Sequence, residues 1–187
     1  MEIIKTKLKD CIIIKPQIFS DERGFFLETY QEQRYQQAGI KEKFIQDNRS
    51  RSTKNVLRGL HFQKKKPQGK LVTVTYGEVF DVAVDLRMNS ETFGQYEAVI
   101  LSGENKLQFY IPPGFAHGFC VLSELADFQY KCTNYYDSSD ESGLLWNDPE
   151  ISIEWPIKYP LLSEKDAVQP LLSEITEKIR SGWKDNG

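Results

Sequence analysis

The chain has 187 residues, of which 40% are apolar and 12% aromatic, a composition that predicts one folded domain over residues 1–187 rather than a disordered protein. Its net charge of −3 and pI near 5.5 argue against nucleic acid as the main partner. It shows no signal peptide, no apolar run of membrane length and only three cysteines without regular spacing, so we expect a cytoplasmic protein with no membrane partner and no disulfide framework.

Short strands separated by turns are predicted in the first third of the chain. Apolar or alternating stretches predict strands at residues 11–16, 25–30, 44–48 and 56–63. A helix is predicted at residues 32–38, because Gly39 is a common helix stop. Polar stretches and those rich in glycine or proline predict turns and loops at residues 20–24, 50–55 and 64–69.

The same alternation continues through the rest of the chain. Strands are predicted at residues 70–76, 79–87, 96–101, 107–111, 119–122 and 127–133. A rigid corner is predicted at residues 112–118, with turns at 77–78, 88–90 and 146–149. Helical spacing in the tail predicts a short amphipathic helix with Leu171, Leu172, Ile175 and Ile179. Many short strands with Gly/Pro turns predict an all-β jelly roll with short peripheral helices.

Residues 56–63 hold His61, one of only two histidines, and are the first candidate for a functional strand. Strict alternation places Arg58 and His61 on opposite faces. Gly59 lies between them, and a glycine within a strand often marks a bulge that adds a residue and shifts the phase. A bulge here predicts that both polar side chains enter one cavity, suited to an anionic substrate that loses a proton. A core histidine with a surface arginine is the alternative.

Metal and nucleophile chemistry find little support. A metal site of the usual kind needs three or four convergent His, Cys or carboxylate ligands, and the only histidines are His61 and His117. A metal held with the help of carboxylates stays open. No GxSxG motif or glycine-rich phosphate loop occurs, and Cys132 lies in a predicted strand as a core residue.

General acid–base chemistry remains. His61 can act as a base near neutral pH if a carboxylate fixes its tautomer, and Tyr130 can act as an acid if its phenol points inward. Lys70 or His117 could stabilise an oxyanion. Each residue also has a plainer interpretation, since Tyr130 could be a core aromatic and the cations could face solvent. The residues that could hold phosphate oxygens are Arg23, Arg58 and Lys70.

Nine motifs resemble the dTDP-4-dehydrorhamnose 3,5-epimerase family. They run in family order over about residues 3–170: DERGFF (21–26), QDN (46–48), RGLHFQ (58–63), QGKLV (68–72), GEVFDVAVD (77–85), IPPGFAHGF (111–119), YKCTNYY (130–136), WNDP (146–149) and LSEKD (162–166). The resemblance implies a cupin-type jelly roll that forms a homodimer and needs no metal or cofactor. It also implies a nucleotide-sugar substrate, dTDP-4-dehydro-6-deoxy-D-glucose, whose product dTDP-4-dehydro-L-rhamnose feeds L-rhamnose synthesis for surface polysaccharide.

The resemblance also implies residue roles. His61 matches the proton-abstracting base, Asp166 its paired carboxylate, Tyr130 the proton donor, and Lys70 the lysine that stabilises the enolate. The positions that match substrate-binding residues are Arg23, Glu28, Gln46, Asp47, Asn48, Arg58, His117, Glu141 and Lys165.

Three other functions stay in competition. An enzyme of the same fold could epimerise C3 alone or isomerise a related nucleotide keto-sugar, although Tyr130 favours the double reaction. A non-catalytic sugar-binding jelly roll would not need His61, Asp166, Tyr130 and Lys70 together. A metal-dependent cupin oxygenase is disfavoured by the shortage of histidines.

Overall fold

The computed structural model describes residues 1–176, and the regular secondary structure of this part of the chain is mostly β. Its first eight strands are β1 (Glu2–Lys5), β2 (Ile12–Lys15), β3 (Ile18–Asp21), β4 (Gly24–Leu27), β5 (Gln46–Thr53), β6 (Leu57–Gln63), β7 (Lys70–Tyr76) and β8 (Glu78–Asp85). The others are β9 (Tyr96–Ser102), β10 (Gln108–Ile111), β11 (Phe115–Val121), β12 (Leu125–Cys132) and β13 (Glu141–Gly143). One α-helix, α1 (Glu32–Gln37), and a 3-10 helix, Asp166–Val168, are peripheral, and residues 172–176 are also helical.

Two antiparallel sheets form the body, which confirms the predicted all-β jelly roll. The six-stranded sheet has the order β1-β2-β10-β7-β12-β5, and the five-stranded sheet has the order β13-β6-β11-β8-β9. The main hydrophobic cluster lies between them and takes side chains from both sheets. At its centre Phe119 of β11 stacks on Phe128 of β12, with ring centroids 4.0 Å apart. The hairpin β3–β4 forms a separate two-stranded sheet.

The predicted loop at residues 50–55 is wrong for residues 50–53 and correct only for the turn at residues 54–55. Strand β5 continues to Thr53 and pairs with β12 along its whole length, from Gln46 opposite Cys132 to Thr53 opposite Leu125. The strand was missed because its side chains are polar on both faces. Two of them, Arg49 and Arg51, bind the buried carboxylate of Asp127 on the neighbouring strand.

The predicted corner at residues 112–118 is too long. Strand β11 begins at Phe115, and all seven of its residues are buried. His117 is therefore a strand residue whose position is fixed by pairing on both sides, with β6 and with β8. The proline and glycine residues correctly predict the end of β10 at Ile111, but they do not indicate where the next strand begins.

The predicted helix at residues 32–38 is confirmed as α1, which begins after a cap by Gln31 and is followed by Gly39 at φ +101°. In the predicted tail helix, Leu172 and Ile175 are buried in a second cluster against β6 and β8. Ile179 lies outside the described residues. None of the helices within residues 1–176 has the length and hydropathy to cross a bilayer.

Candidate active site

A cavity of about 570 Å³ opens between the two sheets, and we call it the central cavity. It takes side chains from β6, β7, β11 and β12 and from the segment that leads into the 3-10 helix. Its polar lining residues are Ser50, Arg58, His61, Lys70, His117, Tyr130, Tyr136, Glu141, Ser163, Lys165 and Asp166. A side cavity of about 350 Å³ shares His61, Lys70 and Tyr130 with it and extends to Gln46 and Asn48.

A bulge in β6 places Arg58 and His61 in the same cavity, as the sequence predicts. His61 pairs with His117, but Arg58 pairs with Phe119, so three steps along β6 match two along β11. Gly59 has φ +113°, and a Cβ atom on it would lie 2.7 Å from both the Cα of Gly118 and the carbonyl oxygen of His117. Only glycine fits this close approach of two strands.

His61 and Asp166 form a hydrogen-bonded pair at one wall of the cavity. The distance from His61 Nε2 to Asp166 Oδ1 is 2.6 Å, and the carboxylate is buried while the imidazole side chain is 30% exposed. Burial disfavours the charged carboxylate, but hydrogen bonds with His61, Ser163 and the backbone of Gly59 together hold the pKa of Asp166 below its usual range. Asp166 therefore stays ionised and orients the ring, and within the described residues Nδ1 makes no hydrogen bond to protein.

Lys70 lines the central cavity beside the second histidine. Its Nζ is 3.5 Å from Nδ1 of His117, whose Nε2 is 3.0 and 3.1 Å from the two carboxylate oxygens of Asp81. Burial lowers the pKa of Lys70, against the opposing effects of Cys132, Asp81 and Glu141. A cation held in a largely desolvated site interacts strongly with any negative charge that develops near it.

Tyr130 approaches the cavity from the opposite sheet to His61. It lies on β12, and Lys70 Nζ is 5.9 Å from the centre of its ring. Burial is the main cause that raises the pKa of Tyr130, so the phenol keeps its proton at neutral pH. Cys132, two residues further along the strand, is a buried free thiol, as predicted.

Glu141 joins two elements at the cavity rim. Its carboxylate pairs closely with Lys165 and accepts a hydrogen bond of 2.8 Å from the hydroxyl of Tyr136. Gln46 accepts a hydrogen bond from the backbone N–H of Tyr136 and donates one to Asn48. The rim therefore ties the segment that carries Asp166 to β13 and β5.

Three residues that the family resemblance places at the substrate are not brought to the central or the side cavity. Arg23, in the β3–β4 turn, has an 85% exposed side chain and pairs with Asp21. Glu28 binds Arg34 at 3.0 Å. Asp47 binds Lys131 and lies on the opposite face of β5 from Asn48, because neighbouring residues on a strand alternate between faces.

Asp81 is a site residue for which no role was predicted from the sequence. It is completely buried on β8 and binds His117. The sequence did contain a signal for this residue, namely a single carboxylate within the apolar run VFDVAV. A charged side chain in a buried strand needs a partner, so such a residue is a candidate for a buried contact. Within residues 1–176 no group of three or more His, Cys, Asp or Glu side chains is arranged to hold a metal ion.

Comparison with known proteins identifies the relatives of this chain. The family model for dTDP-4-dehydrorhamnose 3,5-epimerase matches residues 5–174. The dTDP-4-dehydrorhamnose 3,5-epimerase of Salmonella typhimurium is 57% identical over 93% of this chain and 97% of its own length. A more distant relative from Streptomyces niveus, a dTDP-4-dehydrorhamnose 3-epimerase, is 40% identical over 88% of this chain and 80% of its own.

Solved structures agree with the sequence comparisons. The crystal structure of the dTDP-6-deoxy-D-glucose-3,5-epimerase of Legionella pneumophila, in complex with dTDP-4-keto-L-rhamnose, superposes with a TM-score of 0.92. It is 55% identical and covers 95% of this chain and 96% of its own. With the matched model spanning almost every described residue, the chain belongs to the dTDP-4-dehydrorhamnose 3,5-epimerase family of carbohydrate epimerases.

Proposed function

We propose that the enzyme inverts C3 and C5 of dTDP-4-dehydro-6-deoxy-D-glucose and so forms dTDP-4-dehydro-L-rhamnose for L-rhamnose synthesis. The observation that carries this proposal is a hydrogen-bonded His61–Asp166 pair facing Tyr130 across one cavity, with each side on a different sheet. The C4 ketone acidifies the hydrogens on both neighbouring carbons. One base and one enolate site can therefore act on the two carbons in turn.

His61 removes the proton and Lys70 stabilises the enolate that results. The Nε2–H of His61 donates to Asp166, so Nδ1 carries the lone pair that accepts the proton from carbon. The Lys70 ammonium donates a hydrogen bond to the oxygen on C4 as it becomes negative. Tyr130 then gives its hydroxyl proton to the same carbon from the other wall, which inverts the centre, and the tyrosinate and His61 exchange protons with solvent through the cavity mouth.

The remaining cavity groups bind the nucleotide diphosphate and the sugar. Arg58 and Lys165 line the central cavity as exposed cations suited to phosphate oxygens. The other proposed contacts are Gln46, Asn48, His117 and Glu141. A nucleotide-sugar ligand is supported by the Legionella relative, which was crystallised with dTDP-4-keto-L-rhamnose.

The test separates proton removal from proton return. With the dTDP-4-keto sugar in D₂O, Tyr130→Phe should still exchange hydrogen for deuterium at C3 or C5, because His61 and Lys70 remain. Inversion should fall much further than exchange. Tyr136→Phe, which alters a phenol at the cavity rim, is the matched control and should keep the wild-type ratio of inversion to exchange. An equal fall of exchange and inversion in Tyr130→Phe would assign the tyrosine to enolate formation instead.

Epimerisation at C3 alone is the second candidate, because the Streptomyces niveus relative is a dTDP-4-dehydrorhamnose 3-epimerase. The same NMR experiment on the wild-type enzyme decides between them. Deuterium at both C3 and C5 of the inverted product supports the double reaction, whereas deuterium at C3 only supports the single one.

We also propose a homodimer in which the β3–β4 hairpin of one subunit reaches the cavity of the other. The hairpin exposes Phe19, Phe25 and Phe26, and Arg23 and Glu28 lie away from the cavity of their own chain. An exposed aromatic patch of this kind is typical of an interface. Mixing the inactive variants His61→Ala and Arg23→Ala should restore activity, because a mixed dimer has one site with both residues. No recovery after verified subunit exchange would refute this arrangement.

The proposal extends to the whole chain. We propose that residues 1–187 form one domain, since the tail residues Leu172 and Ile175 pack into a cluster with β6 and β8. Work in the reducing cytoplasm is supported by the three buried, unpaired cysteines. Limited proteolysis that releases a stable fragment from within the two sheets would refute the single domain.

A further inference from the structure

Asp81 is a buried carboxylate that the proposed reaction does not use directly. It has no exposed surface, and it lies on β8 opposite Phe119 of β11 and Val99 of β9. Within the described residues its side chain hydrogen-bonds only to His117. Burial of a charged group is unfavourable unless the group is paired, so the contact between Asp81 and His117 is what makes this carboxylate tolerable in the sheet.

The contacts of His117 fix the tautomer of its ring. Both oxygens of Asp81 lie about Nε2, at 3.0 and 3.1 Å, and Nζ of Lys70 lies 3.5 Å from Nδ1. With the proton on Nε2, this N–H donates to the carboxylate and the Nδ1 lone pair faces the ammonium. The other tautomer would place a lone pair against the carboxylate and an N–H against the ammonium, and both contacts would be repulsive.

We infer that Asp81 is a positioning residue for the epimerase reaction, which acts through His117 to hold the Lys70 ammonium where the enolate oxygen forms. The chain Asp81–His117–Lys70 runs from β8 through β11 to β7, and so from the interior of one sheet to the cavity face of the other. This inference rests on the proposed role of Lys70.

The charges around Lys70 give the sign of the pH dependence. The titratable groups that face it are His117, His61, Tyr130, Cys132, Asp81 and Glu141. Burial lowers the pKa of Lys70 and Asp81 opposes that shift. Cys132 would oppose it only as a thiolate, and burial raises the pKa of that thiol, which therefore stays neutral. The reaction needs the ammonium, so activity is lost as the pH rises through the pKa of Lys70.

The test is the isosteric substitution Asp81→Asn. It removes the negative charge, so the pKa of Lys70 should fall further and the alkaline limb of the kcat profile should move about one unit to lower pH. Loss of an oxyanion donor costs about 10²–10³ in rate, so a misdirected donor should lower kcat by about 10- to 100-fold. KM should change less than kcat, since Asp81 does not itself line the cavity and reaches the substrate site only through His117.

A double variant shows whether Asp81 acts through His117. If it does, Asp81→Asn should add little to the loss caused by His117→Ala. The control is Asp85→Asn, which alters an equally buried carboxylate on the same strand that binds Arg87, Ser90 and Thr92 instead of a cavity residue. Asp85→Asn should lower the thermal stability and leave the pH profile of kcat unchanged. If Asp85→Asn does not fold, Ser90→Ala serves as the control instead.

Three results would overturn the inference: an unmoved alkaline limb in a folded Asp81→Asn, a wild-type kcat in that variant, or additive losses in the double variant. A wrong proposed function would show itself in a different experiment, because the wild-type enzyme would then give no deuterium exchange at C3 or C5 of the dTDP-4-keto sugar.

Discussion

Substitution of Gly59 by alanine tests whether the β6 bulge is required for both the fold and the site. The added Cβ would meet two backbone atoms of β11 at 2.7 Å, and the residue must also keep φ +113°. An unfavourable φ costs about 1–3 kcal/mol, and overpacking against backbone adds about 1–3 kcal/mol. The free energy of unfolding should therefore fall by about 2–6 kcal/mol, a large part of the about 5–15 kcal/mol typical of a domain.

The variant Gly39→Ala separates the cost of an unfavourable φ angle from the cost of overpacking against backbone. Gly39 has φ +101° but no atom within 4 Å of its would-be Cβ, so it should lose only the conformational part. Urea unfolding at one fixed protein concentration gives both free energies, and the activity of folded Gly59→Ala gives the effect on the site. We expect Gly59→Ala to lose at least about 1 kcal/mol more than Gly39→Ala, and also to lose activity. Equal losses with normal activity would refute the close approach of β6 and β11.

Three further predictions concern the site itself. Exhaustive chelation should leave activity unchanged, and loss with EDTA followed by recovery with a divalent ion would contradict the acid–base mechanism. Arg58→Ala should weaken dTDP binding by about 1.5–3 kcal/mol through the lost charge-assisted contact, and unchanged affinity in calorimetry would place Arg58 outside the phosphate site. His61→Ala should abolish turnover with the fold intact, and near-normal rates in that variant would assign the base elsewhere. Asp166→Asn should lower kcat because the imidazole loses the partner that fixes its tautomer, and an unchanged kcat would contradict that role of Asp166.

The sequence predicted the parts of the site that obey strand periodicity. Alternation gave β7 with its bounds, and Gly59 between Arg58 and His61 correctly indicated a bulge that brings both into one cavity. The absence of metal-ligand spacing and nucleophile motifs left acid–base chemistry as the prediction, and the family that the comparisons identify is one of epimerases. Alternation within a strand and a glycine at a bulge both depend on neighbouring residues, and the periodicity of a sequence reflects such local geometry.

Long-range placement was not accessible to the same reasoning. Strand β5 has polar side chains on both faces, so its pairing with β12 left no alternating signal. The contact between Asp81 and His117 joins two residues that are 36 positions apart in sequence. Arg23 and Glu28 match family positions, but neither of them lines the central or the side cavity of its own chain, and no local sequence signal could show this.

The stacked rings of Phe119 and Phe128 lie in the cavity where the reaction is proposed to occur. Phe119 belongs to the sheet that carries His61 and Phe128 to the sheet that carries Tyr130, and both rings line the cavity floor. The pair is therefore a direct contact between the two walls that carry the proposed base and the proposed acid. A substitution at either ring would alter the packing between these walls without removing any hydrogen-bonding group of the site.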